Sequence, residues 1–207
     1  MKFLIADDHA IVRKGIIQLL REAFPEVTVT ETSNSAEALE EVRKQVLDFI
    51  LLDISMPGRN GIETLKQMRA EGIKAPILML SMHPEEQYAV RALKAGASGF
   101  LNKGSATEEL LVAVHKVLAG RKYISPSLAE KLAGSLSEKT EHEYELLSDR
   151  EMQVLQRIAS GKTVSDIAEE ISLSVNTIST YRTRILEKLS LQNNAELTRY
   201  ALDNGLT

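Results

Sequence analysis

From the first residue to about position 119, short apolar runs alternate with longer stretches whose apolar residues recur every three or four positions. The short runs (Phe3–Ala6, Val27–Thr32, Phe49–Asp53, Ile77–Ser81 and Gly99–Asn102) have the length and composition of strands. The longer ones (Ile11–Phe24, Ala36–Val46, Ile62–Ala70, Glu85–Ala95 and Glu108–Leu118) read as amphipathic helices, with Val12, Ile16, Leu19 and Leu20 marking one apolar stripe. Five strands alternating with helices predict a parallel sheet covered on both faces. In such a sheet, chemistry collects at the carboxyl ends of the strands.

The pattern then changes. Gly120 closes the last of these helices, and Ser125-Pro126 reads as an N-cap followed by proline at the first helical position, starting a short helix Leu128–Leu136. The stretch 137–145, SEKTEHEYE, has no aliphatic residue and five charges, so it can bury little and reads as a linker. From Leu146 the periodicity is purely helical. Ser148 with Glu151 forms a capping box, and Leu147 with Met152 has the spacing of a hydrophobic staple. That helix ends at Gly161, and Thr163 with Asp166 begins a second that runs through Ile171. Ser172-Leu173-Ser174 makes a tight connection to a third helix, Val175–Leu189, and a fourth runs from Asn194 to Asn204. The expected division is therefore an α/β domain at 1–120, a linker with a short helix at 121–145, and an all-α four-helix domain at 146–207.

Charge and composition narrow the partners. The net charge is −4, and no segment is basic overall: Lys+Arg against Asp+Glu is 14 to 16 for 1–120, 4 to 5 for 121–145 and 7 to 8 for 146–207. A nucleic-acid partner would thus have to be met by one face rather than by a whole domain. With no Cys, disulfides and Cys-based zinc sites are excluded, and the four His (His9, His83, His115 and His142) lack paired ligand spacing. The apolar run at the start is stopped by Asp7 and Asp8, too soon for a signal peptide, and no later stretch approaches a membrane span. The cytoplasm is the expected compartment.

Asp7 and Asp8 follow the first strand, Asp53 ends the third, Ser81 ends the fourth and Lys103 follows the fifth. In a parallel sheet these positions share one edge, so the side chains can converge. Close carboxylates repel one another unless a cation lies among them, and a hard divalent ion such as Mg2+ suits oxygen donors. A carboxylate beside such an ion and a lysine can attack a phosphoryl group, with Ser81 placed to donate to the product. Taken singly, each residue has a plain structural reading: Asp7 or Asp8 as a helix cap, Lys103 as a surface lysine, Ser81 as a turn residue.

The segments MKFLIADDHAIVRKGI, ILLDISMPGRNGIE, ILMLSMH and AGASGFLNKGS, in that order and spacing, resemble a response-regulator receiver domain across residues 1–120. The resemblance implies a doubly wound, flavodoxin-like sheet. It implies that Asp53 is the phosphoacceptor and that Asp8, Asp53 and the Ser55 carbonyl hold Mg2+, with Asp7 acting through water. Lys103 would pair with the phosphate, and Ser81 and Phe100 would be the switch pair. Ser55 and His83 flank the approach of a hydrolytic water, so His83 is either a modulator of phosphate lifetime or an ordinary loop residue. Gly104 stands where many receivers have proline, which removes the usual reason for a cis peptide after Lys103.

In the third helix of the C-terminal segment, Tyr181, Ile185 and Leu189 fall within about 60° of Ile178 and predict a buried stripe. The opposite face carries Asn176, Thr180 and Thr183, flanked by Ser179 and Arg184, and is small and polar, as a helix entering a major groove must be. Arg182, Arg184 and Lys188 lie at its sides for phosphate contacts, with Ser174 and Thr177 at its N-terminus. The stretch LSDREMQVLQRIASGKTVSDIAEEISLSVNTISTYRTRILEKLSLQNNAELTRYAL resembles the LuxR-type helix-turn-helix of NarL/FixJ response regulators. Ser179 and the neighbourhood of Thr183 depart from that family's basic residues. The resemblance implies a transcription factor, not an enzyme beyond its own phosphorylation chemistry. A sensor histidine kinase, double-stranded promoter DNA, a second copy of the chain and RNA polymerase are its expected partners. The competing readings are an Asp-nucleophile Mg2+ phosphatase, a phosphorylation-independent DNA-binding protein and a small-molecule-sensing LuxR-type regulator.

Overall fold

A computed structural model describes residues 1–56, 58–82, 85–104, 107–135 and 143–206. The expected His83, and residues 137–142 of the expected linker, lie outside the described residues. The chain divides into two compact units, Met1–Ser137 and Glu138–Thr207.

In the first unit, five strands, β1 (Lys2–Ala6), β2 (Thr28–Thr32), β3 (Phe49–Asp53), β4 (Ile77–Ser81) and β5 (Gly99–Asn102), form one parallel sheet in the order β2-β1-β3-β4-β5. The connecting helices are α1 (Ala10–Ala23), α2 (Ser35–Lys44), α3 (Gly61–Ala70), α4 (Glu85–Lys94) and α5 (Thr107–Leu118). Every strand and helix expected here forms, with ends shifted by a residue or two. β3 and β4, FILLD and ILMLS, are buried along their whole length, which is why they read as continuous apolar runs rather than alternating ones.

Alternate strand residues face opposite layers. Phe3, Ile5, Phe49, Leu51, Leu78, Leu80 and Leu101 pack with Ile16, Ile17 and Leu20 of α1 and Leu110, Ala113 and Val114 of α5. Phe3 anchors that layer, its ring 5.6 Å from Phe24 and 5.1 Å from Phe49. After α5 the chain does not leave the sheet at once. Tyr123 N–H donates to the Ser98 carbonyl (3.0 Å) and the Tyr123 carbonyl accepts from Phe100 N–H (3.1 Å), adding one rung to the edge of β5. Gly99 permits this approach, because a Cβ there would lie 2.8 Å from the Tyr123 carbonyl oxygen. Helix α6 (Pro126–Ser135) follows, its Leu128 N–H capped by Ser125 Oγ at 3.2 Å as Ser-Pro predicted.

The second unit is helical: a 3-10 turn at Glu143–Leu146, then α7 (Asp149–Ala159), α8 (Val164–Glu170), α9 (Val175–Lys188) and α10 (Asn194–Asp203). Helix α7 packs against α9 and α10, and α8 against α9. The expected capping box of Ser148 with Glu151 is present, and Thr163 with Asp166, expected to start α8, forms a second one. The turn between α8 and α9 puts Ser172 in the left-handed region at φ 54°, where its N–H reaches the Glu169 carbonyl and that of Leu173 the Ala168 carbonyl. Glycine carries no Cβ penalty there, so Ser172→Gly should stabilise the C-terminal unit by about 0.5–1 kcal/mol. A urea midpoint unchanged or lowered would refute that account of the turn.

Candidate functional site

β1 and β3 are neighbours, so the residues that end them meet at the carboxyl edge of the sheet. Asp7 and Asp53 are both wholly buried, and Asp8 lies partly exposed beside them. Lys103, which follows β5, reaches back so that its Nζ lies 2.8 Å from Asp7 Oδ2 and 2.8 Å from Asp53 Oδ2. Its side chain is only 2% exposed, so it is not a surface lysine. Nor do the aspartates cap a helix: the N-cap of α1 is His9, and its side chain makes no capping bond. Asp7 Oδ1 instead accepts from the His9 N–H at 2.8 Å, and Asp53 Oδ1 from the Ser55 N–H at 3.2 Å.

Carboxylate oxygens of Asp7, Asp8 and Asp53 and a ring nitrogen of His9 lie within 4.8 Å of one another. The Lys103 contacts are ion pairs at poor hydrogen-bond angles. Asp7 Oδ2, Asp8 Oδ1 and Asp53 Oδ2 therefore stay buried without an aligned donor. That is a donor set a hard divalent cation fits: several oxygens, excess negative charge and one side open to water. Burial outweighs the Lys103 charge at Asp53 and pushes its carboxyl up to about 6, with Asp7 adding to the rise.

The β3–α3 loop is held tightly behind the acceptor carboxylate. The Gly61 N–H donates to the Ile54 carbonyl at 2.9 Å, and Asn60 caps α3 by accepting from the Glu63 N–H at 2.9 Å. A Cβ on Gly61 would run into the Asp53 carbonyl oxygen and stand 2.8 Å from Ile54 Cα. Gly61 was not singled out from the sequence; only its place in the GRNGIE segment hinted at it. Ser55 is partly exposed, two residues beyond Asp53. Ser81 and Phe100 are completely buried, Ser81 beside the site through its carbonyl, which accepts from the Lys103 N–H at 2.8 Å. The Phe100 ring is thus inward. The Lys103–Gly104 peptide is not cis.

In the second unit, α9 buries Ile178, Ile185 and Leu189 as expected, but Tyr181 is only half-buried and Leu186 completes the packed side. Asn176, Ser179, Thr180, Thr183 and Arg184 are all exposed on the other side. Thr180 and Thr183 donate to the Asn176 and Ser179 carbonyls, and Ser174 caps the helix by accepting from the Thr177 N–H at 3.1 Å. Arg182 donates to Asn194 Oδ1. Lys188 is engaged more closely than its position suggests. Its Nζ lies 2.6 Å from Glu151 Oε2 and 3.1 Å from the Leu146 carbonyl, tying the end of α9 to the start of α7.

This fold, with aspartates and a buried lysine at one sheet edge and a separate helix-turn-helix unit, defines a class, and comparison with known proteins agrees. Residues 3–115 match the response regulator receiver domain and residues 145–201 the luxR family of bacterial regulatory proteins; the chain belongs to the response regulators. It is 36% identical over 205 residues to the response regulator UvrY of Escherichia coli K12, covering 98% of this chain and 94% of that one. It is 33% identical over 208 residues to the response regulator GacA of Pseudomonas aeruginosa, covering 100% and 97%. Among solved structures, RcsB of Salmonella enterica serovar Typhimurium, bound to promoter rprA with phosphomimetic BeF3−, is similar at TM-score 0.69 and 29% identity over 97% of each chain.

Proposed function

We propose that this chain is a phosphorylation-switched transcription factor of the cytoplasm. A sensor histidine kinase supplies the phosphoryl group, Asp53 accepts it, and the helix-turn-helix unit binds promoter DNA as a dimer. The receiver spans 1–120, the connector 121–145 and the DNA-binding domain 146–207. The observation that carries the reading is the burial of Asp53 beside Asp7, with Lys103 Nζ 2.8 Å from each carboxylate.

In the transfer, an Asp53 oxygen forms the new bond to phosphorus as the bond from phosphorus to the kinase histidine nitrogen breaks, the electron pair staying with the imidazole. Mg2+ would be held by Asp8, Asp53 and the Ser55 carbonyl, with Asp7 acting through water; bound, it offsets the negative charge of carboxylates and phosphoryl oxygens. Lys103 sits where a phosphoryl oxygen on Asp53 would exchange for its present carboxylate partner. Ser81 then moves to the phosphate and donates to it, and the pair it forms with the inward Phe100 ring, already buried in this structure, is the signal. A few kcal/mol of differential stabilisation suffices to invert a two-state population. On α9, Asn176, Ser179, Thr180 and Thr183 face base edges, while Ser174, Thr177, Arg182, Arg184 and Lys188 face the phosphates. RNA polymerase is the partner through which bound protein would alter transcription.

Two measurements test this. Incubation with a small phosphodonor should add one phosphate to the intact mass with Mg2+ present and none after chelation. Affinity for promoter DNA should rise in the phosphorylated sample. Equal affinity with and without donor, in a sample shown to carry phosphate, would leave a DNA-binding protein without a phosphorylation switch.

A further inference from the structure

Cations are unevenly partnered in this molecule. Of the seven Lys and Arg in 146–207, four are ion-paired with carboxylates: Arg157 and Lys162 with Glu170, Lys188 with Glu151, and Arg199 with Asp203. Arg182 is hydrogen-bonded to Asn194, and Arg150 is buried. That leaves Arg184 on the exposed side of α9 with few companions. Counterion release scales with the number of phosphates neutralised, so this unit alone supplies a weak electrostatic contribution to DNA affinity.

The first unit holds the complement. Between residues 72 and 129 the only acids are Glu85, Glu86, Glu108 and Glu109, all in the first turns of α4 and α5. Those turns lie at the carboxyl edge of the sheet. The opposite edge, where β4 begins and α4 and α5 end, carries Lys74, Lys94, Lys116, Arg121 and Lys122, all exposed. Among the described residues none of the five has a carboxylate partner; elsewhere in the unit Arg13, Arg43 and Lys44 are ion-paired, and Lys2, Lys14 and Arg21, which are not, lie in stretches that also carry acids. Lys94 and Lys116 occupy last helical turns, where they complement the helix dipoles, and Lys116 also lies over the Tyr123 ring. Lys74, Arg121 and Lys122 have no such local role. They line one groove of about 510 Å3, with Pro76, Ser98 and Gly120 between them.

We propose that Lys74, Arg121 and Lys122 form a second DNA-contacting surface, one that binds the sugar-phosphate backbone of duplex DNA without reading sequence. This rests on the DNA-binding reading of α9 and extends it. Uniform positive sign and lack of internal partners suit a polyanion, and Arg121 and Lys122 are the first two residues of the connector to the helix-turn-helix. The two surfaces divide the work: α9 selects the sequence, and the receiver edge adds attraction that is independent of it.

The test uses the full chain and a fluorescently labelled mixed-sequence duplex, with affinity measured across a salt series. Lys74→Gln/Arg121→Gln/Lys122→Gln should flatten the slope of log affinity against log salt by about 2–3 and weaken binding at low salt by about tenfold or more, at roughly 0.9 per lost phosphate contact. Arg184→Gln should flatten it by about 1. Both variants should still gain one phosphate from the donor with Mg2+, which reports an intact receiver. A triple variant with the wild-type slope, beside an Arg184→Gln that flattens it, would overturn the second surface and leave α9 standing; the patch would then serve an acidic protein. Wild type that fails to bind the duplex at any salt would sink both.

Discussion

Asp53→Asn is expected to eliminate the phosphodonor-dependent mass gain while making the metal-free protein more stable at neutral pH. The two effects have one cause. Asp53 is wholly buried and its carboxyl is pushed up to about 6, from 3.8, chiefly by burial. In the folded state it therefore holds its proton more tightly than in the unfolded chain. The stability this confers is complete below pH 4 and is lost as pH rises through 6. Above that, the ionised carboxylate costs about 2–3 kcal/mol, at roughly 1.4 kcal/mol for each unit of displacement. Asn keeps the shape without the charge. The gap in unfolding free energy between Asp53→Asn and wild type, in chelator, should open between pH 4 and 6 and hold constant above, and Mg2+ should narrow it by neutralising the wild-type cluster. A gap independent of pH would mean that Asp53 is not the strained carboxylate of this pocket; a variant that still gained phosphate would show that another residue is the acceptor.

The strands were legible because β3 and β4 are buried on both faces, so their sequences are unbroken aliphatic runs. The site was legible because a parallel topology turns five separated strand ends into one edge, and Asp7, Asp8, Asp53 and Lys103 needed no other geometry to meet. What escaped depends on contacts that periodicity does not encode. Helical phase placed Tyr181 in the buried stripe of α9, but packing against α7 and α8 draws in Leu186 and leaves the Tyr181 ring half out. Lys188 has the helix angle of a phosphate contact; the further reach of its Nζ to Glu151, 37 positions earlier, exists only once α7 and α9 are side by side. Tyr123 pairs with the edge of β5 because Gly99 admits it, an approach invisible from either residue alone.

Gly61 is the plainest of these, and it yields the second large effect. Its absent side chain lets the start of α3 close over the backbone that carries Asp53, and the atoms a Cβ would strike are main chain, which cannot rotate away. Gly61→Ala should therefore force the β3–α3 loop outward, at a cost of about 3 kcal/mol, the upper range for overpacking a tight core. Displacing the acceptor carboxylate by about 1 Å should also slow phosphorylation by roughly 100-fold. Gly15 supplies the control: it lies inside α1 with nothing near the position of its Cβ, so Gly15→Ala should raise stability by about 0.5–1 kcal/mol through helix propensity. Thermal unfolding in chelator and the phosphorylation rate with Mg2+ decide the matter together. If Gly61→Ala melted and reacted like Gly15→Ala, the loop would have room to spare, and the tight seat assigned to Asp53 would be wrong.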